Sequence, residues 1–185
     1  VVDKTPAGRD LVDPLVRALR DRGLRAGLYF SQLDWSHPDY PHHTRVEKRY
    51  RPQDDPERWA RFLAFQQGQL REIMRLYRPD LIWFDGDWDY GADLWRAAQQ
   101  RQMIFKTLPK TIINSRLNGY GDYATPEQGL PITRPPDRWW ELCMTMNDSW
   151  GFQHNDHNYK TPNQIIRILV DCLSLGGNLL LGIGP

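Results

Sequence analysis

Leu81-Ile82-Trp83-Phe84-Asp85-Gly86-Asp87-Trp88 is the stretch whose reading decides the fold. A run of large apolar residues leads straight into a carboxylate, then a glycine, then more acid and aromatic. A short apolar run closed by a turn signal fits a strand buried on both faces of a parallel sheet. Ligand sites of α/β folds open at the C-terminal ends of such strands, so Asp85 is the first candidate for chemistry. The bland reading, an Asp that caps the next segment, is the alternative.

The flanking chain repeats the pattern. Upstream, Asp55-Pro56 starts a helix that places Trp59, Phe62, Leu63, Leu70, Ile73, Met74 and Tyr77 on one face, and Arg78-Pro79 ends it. Before it, Asp13-Pro14 predicts a helix start, with Leu15, Val16 and Leu19 as the apolar stripe and Gly23 as the stop. Residues 25–33 read as a strand and 36–55 as a long loop after it. Downstream, a helix over Ala92 to Lys106 and a strand over Thr111 to Arg116 precede a turn-rich loop from Gly119 to Pro136, which carries Glu127. Trp139 to Met146 reads as a strand. Thr161-Pro162-Asn163-Gln164 is a capping box for a helix whose apolar face is Ile165, Ile168, Leu169 and Cys172. Asn178 to Ile183 closes the chain as a buried strand. About five strands interleaved with at least four helices predict an α/β fold with a parallel sheet covered on both faces.

Composition narrows the function classes. The 24 basic and 23 acidic residues of 185 are spread along the chain, which gives no electrostatic footprint for nucleic acid or a membrane surface. No apolar run reaches the length of a membrane span. Cys143 and Cys172 read as two buried thiols rather than a disulfide or a metal pair. The acids from Asp85 to Asp89 alternate as in a calcium loop, but that loop needs Gly and Glu where Tyr90 and Arg96 stand. The five histidines, including His42-His43, lack ligand spacing and are expected to be exposed or to touch a sugar, so no metal or cofactor is expected. Eight tryptophans, several beside acids, suit stacking against sugar rings. Strand-end carboxylates beside indoles are the equipment of glycoside hydrolysis, where a retaining enzyme holds two carboxyl groups about 5–5.5 Å apart. Asp85 suits the ionised partner. Glu127 suits the protonated one, its alternative being a solvated loop glutamate.

Several stretches, in order, resemble the α-L-fucosidases of glycoside hydrolase family 29. They are Gly27-Leu-Tyr-Phe-Ser-Gln-Leu-Asp-Trp35, Pro79-Asp-Leu-Ile-Trp-Phe-Asp-Gly86, Ile113-Asn-Ser-Arg116, Gly121-Asp-Tyr-Ala-Thr-Pro-Glu127, Trp140-Glu-Leu-Cys-Met-Thr-Met-Asn-Asp-Ser-Trp-Gly151 and Gly177-Asn-Leu-Leu-Leu-Gly-Ile-Gly-Pro185. The resemblance implies a (β/α)8 TIM-barrel-like catalytic domain. With too few strands for a whole barrel, residues 1–185 are expected to be its C-terminal portion, the early strands missing.

It also implies that Asp85 is the catalytic nucleophile and Glu127 the acid/base. Arg116 is implied to bond fucose hydroxyls, Trp83 and Trp150 to line the pocket, and Tyr29 to be a pocket tyrosine. The family's histidine pair lies on an earlier strand, so His42-His43 is not equated with it. The implied partner is a fucosylated glycan, and the implied location secreted, periplasmic or lysosomal. The rival readings are a fucose-binding or scaffold protein on a degenerate barrel, and another retaining barrel glycosidase.

Overall fold

The structure, a computed structural model, describes residues 6–135 and 139–183. They fall into two compact units, one ending at Gly121 and the other beginning at Asp122. Among the described residues no helix is long and apolar enough to cross a membrane.

The first unit runs α1 (Val12–Arg20), β1 (Gly27–Ser31), α2 (Pro56–Tyr77), β2 (Leu81–Asp85), α3 (Ala92–Trp95), α4 (Ala97–Thr107) and β3 (Ile112–Ile113). The strands form one parallel sheet in the order β1-β2-β3, with Tyr29 opposite Trp83 and Ser31 opposite Asp85. The opening stretch is therefore the central strand, which its apolar run predicts. Ile82 and Phe84 are fully buried, packed with Leu70 and Met74 of α2 and Ile104 of α4. Each such side chain contributes roughly 1.5–3 kcal/mol by leaving water. Alternation along the strand puts Leu81, Trp83 and Asp85 on the opposite face.

Local chemistry sets the element ends. The Asp55 carboxylate accepts the Arg58 N–H at 3.0 Å with Pro56 at the first helical position, and Arg78 in the left-handed region (φ 46°) closes α2. The start of α1 differs from the expected Asp13-Pro14. Asp10 accepts the N–H groups of Val12 and Asp13 at 2.8 and 3.2 Å, so the helix begins before the proline. The single helix expected over Ala92–Lys106 is two, because Arg96 takes φ 53° between α3 and α4. Strand β3 is shorter than the expected Thr111–Arg116. Past Ile113 the buried Asn114 side chain takes over, donating to the Phe84 carbonyl at 2.9 Å and accepting the Phe84 N–H at 2.8 Å. A side-chain amide thus completes pairing that main chain supplies elsewhere in the sheet.

The long loop after β1 is gathered by one guanidinium. Arg49 donates to the carbonyls of Trp35, His37, Tyr40 and His42 and to the His43 ring. His42, expected to be exposed or to touch a sugar, is only 6% exposed, packed between the rings of Tyr40 and Tyr90. Its burial follows from Tyr40, which anchors the loop in the Trp59, Phe62, Leu63 and Trp95 cluster.

The second unit runs β4 (Tyr123–Ala124), β5 (Trp139–Thr145), α5 (Pro162–Ser174) and β6 (Asn178–Gly182), a parallel sheet in the order β4-β5-β6. Strand β4 lies inside the stretch expected to be loop, where Gly, Asp and Pro mask two paired residues; Pro136, at that stretch's end, lies outside the described residues. The capping box at Thr161 forms as expected, and both cysteines are buried and not joined in a disulfide. Strand β6, expected to be buried, is not. Ile183, past the strand's end, is 74% exposed. Leu180 is 39% exposed because the face of β6 that packs on the Cys172 cluster is the one carrying Leu179 and Leu181, and Leu180 alternates away from it.

Candidate active site

Asp85 ends β2, and three residues from neighbouring segments converge on it. Tyr29, on β1, donates its hydroxyl to Asp85 Oδ2 at 2.7 Å. Arg116, just past β3, brings Nη1 to Oδ1 at 2.8 Å. The Gln32 N–H holds the Asp85 carbonyl at 2.8 Å, extending the β1–β2 pairing beyond the strand. Both carboxylate oxygens are thus engaged, yet an ionised carboxylate has about four lone-pair sites, so each oxygen keeps capacity toward an incoming group. The carboxylate is part-buried, with its side chain 19% exposed.

Trp83 spaces this arrangement. Its ring stacks on Tyr29 with centroids 5.7 Å apart and planes 19° from parallel, and the Arg116 guanidinium lies 4.6 Å from its centroid. Tyr29 comes from the strand on one side of β2 and Arg116 from the segment that follows the strand on the other, so the indole sits between them. The ring spaces Tyr29 and Arg116 at the span that meets both oxygens of Asp85. The Trp83 ring nitrogen is buried and lacks a hydrogen-bond partner among the described residues. Cation–π contact of this kind contributes about 0.5–2 kcal/mol, more where water is excluded.

Two supporting residues complete the site: Gln32, to which the sequence reading gave no role, and Gly86, which it took as the turn signal after Asp85. Gln32, fully buried, donates to the Arg116 carbonyl at 3.2 Å. Gly86 has φ 86°, and a Cβ there would stand 2.5 Å from Leu33 Cγ, so the turn out of the site requires glycine. The signal for Gln32 was present, as a polar residue one step past an apolar strand. That for Asn114 was not, since it reads as one more strand position.

Glu127 and Trp150 lie in the second unit. Glu127 is exposed and, although outside a named strand, bridges Cys143 in parallel. Cys143 donates to the Pro126 carbonyl and Gln128 to the Cys143 carbonyl, both at 2.9 Å. The offset matches that of Tyr123 with Trp139, so the β4 ladder resumes in register after Pro126, which has no N–H to give. The main chain of Glu127 is therefore fixed by pairing with β5, and its side chain is exposed. Trp150 packs at the end of β6, where a Cβ on Gly182 would lie 3.4 Å from its ring. The structure thus gathers Tyr29, Trp83, Asp85 and Arg116 in one cluster and sets Glu127 and Trp150 at strand ends of the other unit. Among the described residues no three His, Cys, Asp or Glu side chains gather as a metal-ligand set.

Comparison with known proteins places the chain. The tissue alpha-L-fucosidases of Mus musculus and Homo sapiens are 33% and 32% identical to the chain over 96% of its length. The chain spans about 40% of the length of these relatives. Among solved structures, alpha-L-fucosidase isoenzyme 1 from Paenibacillus thiaminolyticus matches with TM-score 0.88 and 36% identity, covering 99% of this chain and 48% of that one. Alpha-L-fucosidase AlfC from Lactobacillus casei, in complex with the alpha-L-fucose product, matches with TM-score 0.81 and 30% identity over 100% of this chain and 61% of its own. A further AlfC structure holds Fuca(1,6)GlcNAc. The family model described as alpha-L-fucosidase matches residues 1–185, the whole length, and the chain belongs to that family.

Proposed function

We propose that the chain is part of the (β/α)8 catalytic domain of a retaining α-L-fucosidase that removes terminal α-L-fucose from glycans. The observation that carries the reading is the Asp85 carboxylate at the end of a central parallel strand, held on one oxygen by Arg116 and on the other by Tyr29. All-parallel pairing in both sheets and strand–helix alternation support the barrel.

In the first step an Asp85 oxygen forms a bond to the anomeric carbon of fucose as the bond to the aglycone oxygen breaks. The Glu127 carboxyl gives its proton to that leaving oxygen. In the second, the Glu127 carboxylate takes a proton from water, whose oxygen displaces Asp85 and restores the original configuration. Arg116 and Tyr29 fix the nucleophile's orientation by donors to each oxygen, so a productive geometry needs no rearrangement when the sugar arrives. Trp150, at the end of β6, supplies an apolar surface for the C5 methyl of fucose. The aglycone of the proposed substrate is a glycan sugar, as in the relative that holds Fuca(1,6)GlcNAc.

The test is chemical rescue in the expressed protein carrying this chain. Asp85→Gly is expected to lose turnover of an aryl α-L-fucoside and to recover part of it with azide, giving the inverted fucosyl azide. Glu127→Gly is expected to be rescued with retained configuration. Unchanged turnover in Asp85→Gly would remove Asp85 from the role. Binding of fucose without any hydrolysis by the wild type would favour a fucose-binding protein instead.

A further inference from the structure

Alternate residues of the segment after β3 reach across to the segment that carries Asp85. Asn114 clasps the main chain of Phe84, Arg116 holds the Asp85 carboxylate, and Asn118 grips the turn beyond. The Asn118 N–H donates to Asp87 Oδ2 at 2.8 Å. Its side-chain Nδ2 donates to the carbonyls of Asp87 and Tyr90 at 3.1 and 3.2 Å. Two carbonyl acceptors fix which end of the amide is the donor. Asn118 adopts φ 48° to do this, a left-handed conformation that costs a non-glycine residue about 1 kcal/mol. The next residue, Gly119, has φ 82°, so the turn already contains a residue suited to that region.

We propose that Asn118 is a positioning residue for the reaction, acting through Asp87 to set Arg116 and Asp85 at bonding distance. This rests on the reading of Asp85 as nucleophile. Asp85 and Asp87 lie on either side of Gly86, whose φ of 86° gives the turn its freedom, and Arg116 and Asn118 lie on either side of Leu117, which is fully buried. The two segments are thus tied to each other beyond the strand ends, and the Arg116–Asp85 contact is the rung between the Asn114 and Asn118 clasps. Without the Asn118 clasp the rung is held from one side, and the carboxylate gains freedom at the turn. The sugar still binds, because Asn118 touches none of the proposed substrate contacts. Attack on the anomeric carbon then starts from a broader set of geometries and is slower.

A 2-deoxy-2-fluoro-fucosyl fluoride tests this directly, since an Asp85 oxygen would bond the anomeric carbon as fluoride leaves, and the adduct turns over slowly enough to be seen by mass spectrometry. Labelling of the wild type on the peptide containing Asp85 is the precondition. Its absence sinks the nucleophile reading itself. Given labelling, Asn118→Gly is expected to label roughly tenfold or more slowly at saturation, with half-saturation within about twofold and a melting temperature within a few degrees. Glycine keeps the main-chain donor and accepts the left-handed turn, so the lost donors are those of Nδ2 alone. Labelling at the wild-type rate overturns the proposal and leaves the nucleophile in place. Should Asn118→Gly not fold, Asp87→Ala, which removes the carboxylate that accepts the Asn118 N–H and leaves the Nδ2 bonds in place, tests the clasp from the other side and is read the same way. Failure of both to fold overturns the proposal, since the clasp is then a folding contact.

Discussion

Arg116 and Asp85 stand 31 residues apart in the chain and 2.8 Å apart in space, joined across the ends of two neighbouring parallel strands. The same guanidinium lies 4.6 Å over the Trp83 ring, so it makes a directed bond and a face contact at once. Lysine can supply a charge there but not a planar fork that stacks and donates together. Arg116→Lys is therefore expected to lower kcat/KM on an aryl α-L-fucoside by about 10–100-fold, the loss of one charge-assisted bond of about 1.5–3 kcal/mol. Steady-state kinetics check this, and a change under about twofold would mean that the contact is incidental.

Tyr29 holds the other oxygen from an exposed position, its residue 62% exposed. Tyr29→Phe keeps the stacking on Trp83 and deletes the hydroxyl alone. The expected result is a kcat lower by about tenfold, with a melting temperature within a degree or two, because little buried surface changes. If the variant instead loses stability and keeps its kcat, the hydroxyl serves the fold and not the carboxylate.

What was legible in the sequence was local. The α2 and α5 caps, the apolar face of α2 and the Asp85 strand each depend on residues a few positions apart, and all stand as read. What was hidden depends on partners far along the chain. Asn114 replaces strand pairing because Phe84 lies opposite it, and nothing near Asn114 announces that. His42 is buried because Tyr40 docks on α2 and α3 residues. The break at Arg96 needs a left-handed residue where the sequence offers no glycine. At the site, Asp85 was readable from its strand, whereas Tyr29 and Arg116 came from resemblance alone, and their convergence on one carboxylate is visible only in space.

The loop after β1 hangs on Arg49, whose two terminal nitrogens reach the Trp35, Tyr40 and His43 acceptors at 2.9, 3.1 and 2.9 Å as well as two further carbonyls. A lysine ammonium has three donors on one atom and cannot span that set. Arg49→Lys is expected to loosen residues 36–55 while leaving the sheet formed. Limited trypsin digestion should cut after Arg45 or Lys48 roughly tenfold faster than in the wild type, following the population of the opened loop. Unaltered cleavage would show that the aromatic anchoring of Tyr40 suffices.

Asp80 ties the starts of the three strands of the first sheet. Its carboxylate accepts the Ala26 N–H at 3.0 Å and faces Arg25 at 3.2 Å, while its carbonyl accepts the Ile112 N–H at 3.0 Å. The Ala26 N–H, with Arg25 and Arg20, holds this carboxyl below its ordinary value against the opposing effect of burial. A lowered folded-state value means that the stabilisation is present above the unfolded carboxylate range, about pH 4, and is lost as pH falls through the folded value. Asp80→Asn is therefore expected to be less stable than wild type by about 1 kcal/mol at pH 7, with the gap closing below about pH 4. Thermal unfolding of both proteins from pH 7 to pH 3 measures it, and a gap constant with pH would rule out the charge as its source.

Gly177 shows a different constraint, imposed by volume and not by backbone angle. It follows the turn at Gly176, whose φ of 74° needs glycine, but its own φ lies outside the left-handed region. A Cβ on Gly177 would stand 2.2 Å from Cε2 of Trp140, a fully buried indole that donates to the Leu175 carbonyl at 3.2 Å. The ring is held by that bond and by packing with Leu142, Met144 and Cys172, so it cannot move aside cheaply. Gly177→Ala is expected to destabilise the protein by about 1–3 kcal/mol, the cost of overpacking, where an alanine in open space would stabilise by lowering the entropy of the unfolded chain. Adding Trp140→Phe makes room at Gly177 but gives up the indole's packing and hydrogen bond, so the two substitutions should be strongly non-additive. The double variant is expected to be no less stable than Trp140→Phe alone by more than about 0.5 kcal/mol. Additive losses in denaturant unfolding would show that Gly177 is required for its backbone and not for the indole lying against it.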